Sequence, residues 1–382
     1  MVELNNAVLK EALDLIPHQY RGPGGVAGIV KDGEIVATRA WGYSDLSKHN
    51  AMTAGTRLPI CSISKQFTCG VLLDKIDNLD RLNDRVKDFI PKFRGTFPTV
   101  KELCDNQSGL RDYWALSILQ GARAEQTFER SDALPLLAQM KTGHFEPGTS
   151  YSYCNGNFRM LSELIEAETG QSMEALYSEV IWGPAGMKTA VLNSDTRHPT
   201  DEVVGYEGND VTGFFPANNG IYWIGDAGIS ASLQDMLAYE IWIDNTREDA
   251  TSLYQRLSEP PVFRDGTSAS YGFGLAHHTV SGVKVTSHGG ALRGFRAFRM
   301  HAAVERLSVV VMFNHEANVF GAAASILQAA LGSEEPDLQP IPQGWDGQWI
   351  CRETGLLARL KTGKLSGELN FATAPDRVVS GL

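Results

Sequence analysis

The chain has 382 residues, 43% of them hydrophobic and 21% charged, with a formal net charge of −11. That excess of acid speaks against nucleic acid and anionic membrane as partners, since both call for a basic surface. The length exceeds the roughly 250–300 residues that one core usually fills, so one large domain with a small addition is expected.

The opening Met1-Val2-Glu3-Leu4-Asn5 has no basic stretch and no apolar run, so no export signal is visible. Five cysteines (Cys61, Cys69, Cys104, Cys154, Cys351) include no C-x-x-C pair and are odd in number. They point to a reducing compartment, and a cytoplasmic location is expected. No apolar run approaches membrane-spanning length.

Leu4, Val8, Leu9, Ala12, Leu13 and Ile16 predict an N-terminal amphipathic helix. Apolar runs over 24–30 and 35–38 flank Asp32-Gly33, a hairpin signal. Phe67, Val71, Leu72, Ile76 and Leu79 recur at helical spacing and place Ser62 in the first turn of a buried helix. Short helices are predicted over 86–90, stopped by Pro91, and over 100–104. Asn106-Gln107-Ser108 has the form of a glycosylation acceptor and, without an export signal, is read as chance. Further helices are predicted over 133–140, 158–167 (ended by Gly170) and 173–181 (ended by Gly183-Pro184). Residues 193–222 carry no clear period.

Helical signal returns from Ile229. Strands are predicted over 271–275, 283–286, 295–299 and 307–313, the last an unbroken apolar run suited to a central strand buried on both faces. A helix over 321–331 follows. Strands segregated from helices argue for an α+β fold. The early hairpin and the late strands would form one antiparallel sheet, with the N- and C-terminal helices on one face. Residues 334–344 contain Pro336, Pro340 and Pro342 and read as a linker. Beyond it, 347–351, 355–360 and 364–371 read as three short strands, with a tight turn at Thr362-Gly363.

Three motifs carry chemistry. Ser62 and Lys65 stand three positions apart, so on a helix they share a face and Nζ can reach Oγ. An amine kept neutral by desolvation can take the serine proton. A helix N-terminus adds free N–H groups that favour an oxyanion. Tyr153 and Asn155 precede the 158–167 helix, where a turn can aim both at one cleft. A tyrosine near a lysine can shuttle a proton once both pKa values fall. Tyr151, two positions away without an asparagine partner, serves as the internal control. His288 is expected to end a strand, with Gly289 and Gly290 letting a substrate backbone approach. No His/Cys/Glu cluster at metal-ligand spacing appears, so neither metal nor cofactor is expected.

Taken together, Ser62-x-x-Lys65, Tyr153-x-Asn155 and His288-Gly289-Gly290 resemble the penicillin-recognising serine enzymes, a family with the related Ser-x-x-Lys, Ser-Asp-Asn, Lys-Thr-Gly set. The chain is similar to the branch with class C β-lactamases, serine DD-carboxypeptidases and family esterases. His288-Gly289-Gly290 stands where most relatives have Lys-Thr-Gly. Gln107-Ser108-Gly109-Leu110, Gly225-Asp226-Ala227-Gly228-Ile229 and Tyr271-Gly272-Phe273-Gly274-Leu275 match as well. Within the branch, 58–62, 106–114, 144–148, 151–158 and 288–294 resemble the D-aminopeptidases.

The resemblance implies a β-lactamase/transpeptidase-like fold with a helical subdomain: a catalytic domain at 1–333, the linker, and a β tail at 345–382. In that group two β-barrels follow the catalytic domain, so the tail is expected to open the first. Ser62 is implied as nucleophile, with Lys65 and Tyr153 handling the proton. Asn155 would orient Lys65 or substrate, and His288 would contact substrate or tune Tyr153. The oxyanion would be held by the Ser62 N–H and a strand N–H after His288. The implied partners are small peptides or amides beginning with a D-residue, and a homodimer is allowed for. A family esterase, a DD-carboxypeptidase, a β-lactamase and a non-catalytic ligand-binding relative stay open as alternatives.

Overall fold

The computed structural model describes residues 6–123, 125–332, 347–350, 357–362, 367–374 and 377–381. Residues 1–5, the predicted linker, Cys351 and Gly363 of the predicted turn lie outside them. The chain divides into two compact units, Met1–Ser333 and Glu334–Leu382.

The larger unit is built on eight strands: β1 (Gly24–Lys31), β2 (Glu34–Asp45), β3 (Asn50–Ala51), β4 (Tyr271–Gly272), β5 (Leu275–Val280), β6 (Val283–Leu292), β7 (Phe295–Ala302) and β8 (Leu307–Phe313). They form one sheet in the order β3-β2-β1-β8-β7-β6-β5-β4, antiparallel throughout. The β1–β2 turn is the predicted one. Lys31 pairs with Glu34, and Asp32 and Gly33 take φ of 53° and 80°, the left-handed pair whose twist matches a tight hairpin.

Five longer helices pack on the sheet or around the site: α1 (Asn6–Gln19), α2 (Ser64–Lys75), α3 (Asn155–Thr169), α4 (Leu233–Asn245) and α5 (Val319–Leu331). Side chains alternate across a strand. Val309 and Val311 of β8 therefore join Leu9 and Leu13 of α1 and Ile326 and Leu327 of α5 in one core layer. Val310 and Met312 join Phe67 and Leu72 of α2 and Leu237 of α4 in the other. β8 is thus buried on both faces, and the terminal helices share one, as the sequence predicted.

Several details differ. Ser62 lies in a single 3-10 turn, Cys61–Ile63, ahead of α2 rather than inside it. β6 runs through His288 to Leu292 instead of ending there. The unassigned stretch holds a hairpin, Tyr206–Asn209 with Gly213–Pro216. Ile229–Ala231 is a strand, and helix resumes only at Leu233, where Ser232 and Asp235 form a reciprocal cap. That strand pairs with both Leu58–Pro59 and Val191–Leu192 in a small second sheet. Strands of two to four residues have no period to read; long-range pairing makes them. In the smaller unit, Gly347–Ile350, Leu357–Thr362, Gly367–Ala374 and Arg377–Gly381 form an antiparallel meander. The fourth of these was not predicted.

Candidate active site

The short strand Leu58–Pro59 delivers the chain to Ser62. Ile60 N donates to Ile229 O at 3.0 Å, and Cys61 takes a φ of 50°, rare for a residue with a side chain. The turn sets Ser62, half-buried, on the wall of a cleft of about 390 Å³ that Trp114, Tyr153, Asn155, Trp223 and Ala291 also line. Lys65 lies in the fully buried part of α2. Its Nζ donates to Ser62 Oγ at 3.1 Å, Asn155 Oδ1 at 2.8 Å and the Asp226 backbone oxygen at 2.6 Å. Each ammonium proton therefore has an acceptor. Burial lowers the Lys65 pKa to about 8, against the upward pull of the Asp226 and Asp112 carboxylates. An amine so placed spends part of its time neutral near neutral pH and can accept the Ser62 proton.

Tyr153 arrives on the extended segment before α3. Asn106 pins that segment on both sides: its backbone oxygen accepts from Ser152 N at 3.0 Å and its Oδ1 from Cys154 N at 3.1 Å. Tyr153 lines the cleft beside Ser62, whose side chain is near enough to pull its pKa down, and Lys65 Nζ stands 4.8 Å from its ring centroid. The expectation of a lowered tyrosine pKa is corrected here. Burial pushes Tyr153 well above the ordinary phenol range, and the Ser62 contact offsets only part of that. Tyr153 is a phenol with a proton to give. Tyr151 is 42% exposed, its ring against Tyr271. Asn155 opens α3, with Nδ2 donating to Asp112 Oδ2 at 2.7 Å.

The structure brings Ser62, Lys65, Tyr153 and Asn155 together and sets His288 behind them. His288 is 6% exposed. Its Nδ1 lies 2.6 Å from Gly289 O and its Nε2 lies 2.8 Å from Tyr271 Oη. A carbonyl can only accept, so Nδ1 carries the hydrogen and the Tyr271 hydroxyl donates to Nε2. Burial, with Lys65 nearby, lowers the His288 pKa to about 3. Both nitrogens are thus occupied within the protein, and the ring sits 6.2 Å from that of Tyr153. Gly290 explains the second glycine: a Cβ there would fall 2.2 Å from Ile60 O. β6 lies directly on the turn that carries Ser62. At Gly289 a Cβ would press on the Phe298 ring, at 3.1 Å, and would otherwise make an ordinary contact with Ala297 O at 3.9 Å.

Sequence reasoning missed Asn106, Asp112 and Asp226 as parts of the site. Asp112 has the look of a helix cap and is one, accepting from Trp114 N at 2.8 Å. Asp226 contributes a backbone oxygen, which no residue type announces. Among the described residues no group of His, Cys, Asp and Glu is placed to hold a metal ion, and no helix is long and apolar enough to cross a membrane.

Known proteins resemble the chain over nearly all of its length. Residues 6–333 match the family described as Beta-lactamase. A protein of Cereibacter sphaeroides named D-aminopeptidase is 65% identical over 373 residues, spanning 98% of this chain and 72% of the relative. The D-aminopeptidase of Brucella anthropi is 49% identical over 379 residues, spanning 98% of this chain and 73% of the relative. Among solved structures, the octameric penicillin-binding protein homologue from Pyrococcus abyssi aligns with a TM-score of 0.75 at 19% identity, over 98% of this chain and 89% of that one. The D-amino acid amidase from Ochrobactrum anthropi SV3, complexed with L-phenylalanine amide, aligns with a TM-score of 0.67 at 18% identity, over 86% and 98%. At such identities the two structures speak for the fold alone. The family match and the two close relatives go further: the chain belongs to the beta-lactamase family.

Proposed function

We propose that the protein is a D-stereospecific aminopeptidase, a serine hydrolase that releases N-terminal D-residues such as D-alanine from peptides and amides through an acyl-enzyme. The observation that carries the chemistry is the buried Lys65 amine 3.1 Å from Ser62 Oγ. Relatives named D-aminopeptidase at 65% and 49% identity support the substrate class.

Ser62 Oγ attacks the carbonyl carbon while neutral Lys65 takes its proton. The oxyanion is held by the Ser62 N–H and a β6 N–H beyond His288. The Tyr153 phenol passes a proton to the leaving amine and is reprotonated from Lys65. Water then attacks the acyl-enzyme as Lys65 accepts its proton, and Ser62 Oγ leaves as Lys65 hands that proton back to it, which restores the hydroxyl and the neutral amine. Asn155 holds Lys65 in place. His288, neutral and bonded to Tyr271, supports the Tyr153 wall and offers no cation to a carboxylate. That suits a substrate whose carboxylate is not its main handle. A reducing compartment, the cytoplasm, suits the four buried free thiols Cys61, Cys69, Cys104 and Cys154.

The test is Ser62→Ala with D-alanine p-nitroanilide, alongside D- and L-alanine amides on the unaltered protein. We expect Ser62→Ala to lose at least about 10³-fold in kcat/KM, and the D-amide to be strongly preferred. Surviving activity would remove Ser62 as nucleophile. Equal rates on the two amides would leave a general esterase or amidase.

A further inference from the structure

We infer that Asp112 is a positioning residue for acyl transfer: by accepting from Asn155 Nδ2 it fixes which end of that amide meets Lys65, and it sets its own charge behind the amide. This rests on the Ser62–Lys65 reading above and adds to it.

The two ends of an asparagine amide have nearly the same shape, but only Oδ1 can accept from an ammonium. Turned over, Asn155 would point two N–H groups at Lys65. Asp112 makes the choice. An ionised carboxylate can only accept, so it must face Nδ2, and it does at 2.7 Å. The same oxygen lies 3.5 Å from Asn155 N, a donor of the first turn of α3 that has no partner within the helix. Its other oxygen accepts from Trp114 N at 2.8 Å, which stops the carboxylate from swinging. A continuous line of hydrogen bonds runs from Trp114 N through Asp112, Asn155 and Lys65 to Ser62.

Other ionisable groups face Lys65 from the elements around it. The Cys61 and Cys154 thiols and the Tyr153 phenol are all pushed up by burial and stay protonated. His288 is held neutral. Asp226 is the second carboxylate, but its Oδ2 accepts from Tyr113 Oη at 2.7 Å and its link to Lys65 is a backbone oxygen. Only Asp112 therefore acts through Asn155 in this set. Its negative charge raises the Lys65 pKa. Removing it makes Lys65 a weaker base that loses its proton at lower pH.

The experiment follows two rates against pH: phosphonylation of Ser62 by a fluorophosphonate, and kcat/KM for D-alanine p-nitroanilide. The variants are Asp112→Asn, Asp112→Ser, Asn155→Ala and Asp112→Asn/Asn155→Ala. Serine keeps a capping oxygen for Trp114 N but brings no charge, so it separates positioning from helix capping. In both Asp112 variants the rising limb should move about one pH unit to the acid side, and the alkaline plateau should fall roughly ten- to a hundredfold. In the Asn155→Ala background, the Asp112 change should no longer lower the plateau. An unmoved limb in both variants, or the same plateau loss with and without Asn155, overturns the inference. Ser62→Ala separates the two failures. If it stays unlabelled while the Asp112 profiles are unmoved, only the Asp112 role falls. If it is labelled and active, the nucleophile reading falls as well. The labelling rate does not depend on D-specificity.

Discussion

Lys65 is fully buried yet has three acceptors, and these facts pull its basicity in opposite directions. Desolvation wins and brings the pKa to about 8. A base must be neutral to work, so kcat/KM for D-alanine p-nitroanilide should rise with pH through about 8 and then level off. Burial has moved Tyr153 above its ordinary 10, so the phenol should add no falling limb below that pH. Tyr153→Phe should keep the midpoint and lower the plateau by roughly 10²-fold; a moved midpoint would make the phenol the base. At this scale the sequence was informative where chemistry is local. Ser62 and Lys65 are one turn apart, and Tyr153 and Asn155 flank a helix start. It was silent where the partner is remote. Asp112 meets Asn155 across 43 positions and Asn106 meets Cys154 across 48. An isolated carboxylate or amide in a loop gives no hint of either meeting.

The elements that could be read were those whose own residues determine them. β8 has an unbroken apolar run, the β1–β2 hairpin has its Asp-Gly, and α3 has an apolar stripe closed by Gly170 at φ 70°. The elements that could not be read borrow their order from elsewhere, as Ile229–Ala231 does from Leu58–Pro59 and Val191–Leu192. β6 combines both cases. Its start was legible, but its continuation past His288 depends on pairing with β7, where Gly290 meets Ala297. This contact gives a prediction that belongs to the strand. Gly290→Ala would force β6 away from the backbone of the Ser62 turn, because the Cβ falls 2.2 Å from Ile60 O. Activity should drop by about 10²-fold or more, as expected of a displacement near 1 Å at a reacting centre. Gly289→Ala asks only that the Phe298 ring give way slightly, and should cost less than about tenfold. Steady-state kinetics on folded variants checks both; equal effects would mean that the Ile60 contact is not what requires glycine.

Across the whole molecule, the sheet separates two cores, and buried histidines sit within or beside both. His301 is 4% exposed, with Nδ1 2.8 Å from Ser308 Oγ. Burial lowers its pKa from 6.5 to about 4. His315 shifts to about 4 and His288 to about 3 for the same leading reason. A histidine with a lowered folded pKa binds protons more readily in the unfolded chain. Its contribution is intact above pH 6.5 and is lost as pH falls toward the folded value, up to ~3 kcal/mol for His301. The melting temperature should therefore decline between pH 6.5 and 4, and His301→Gln should show a shallower decline than the unaltered protein. Parallel slopes in the two would remove His301 from the acid response.

The small sheet has a temporal consequence. Leu58 is joined to Ala231 by a bridge that closes a loop of about half the large unit, and the reacting groups gather on either side of it. Closing so long a loop is slow compared with winding a helix. A chain recovering from denaturant should therefore regain its helical signal first and its turnover last.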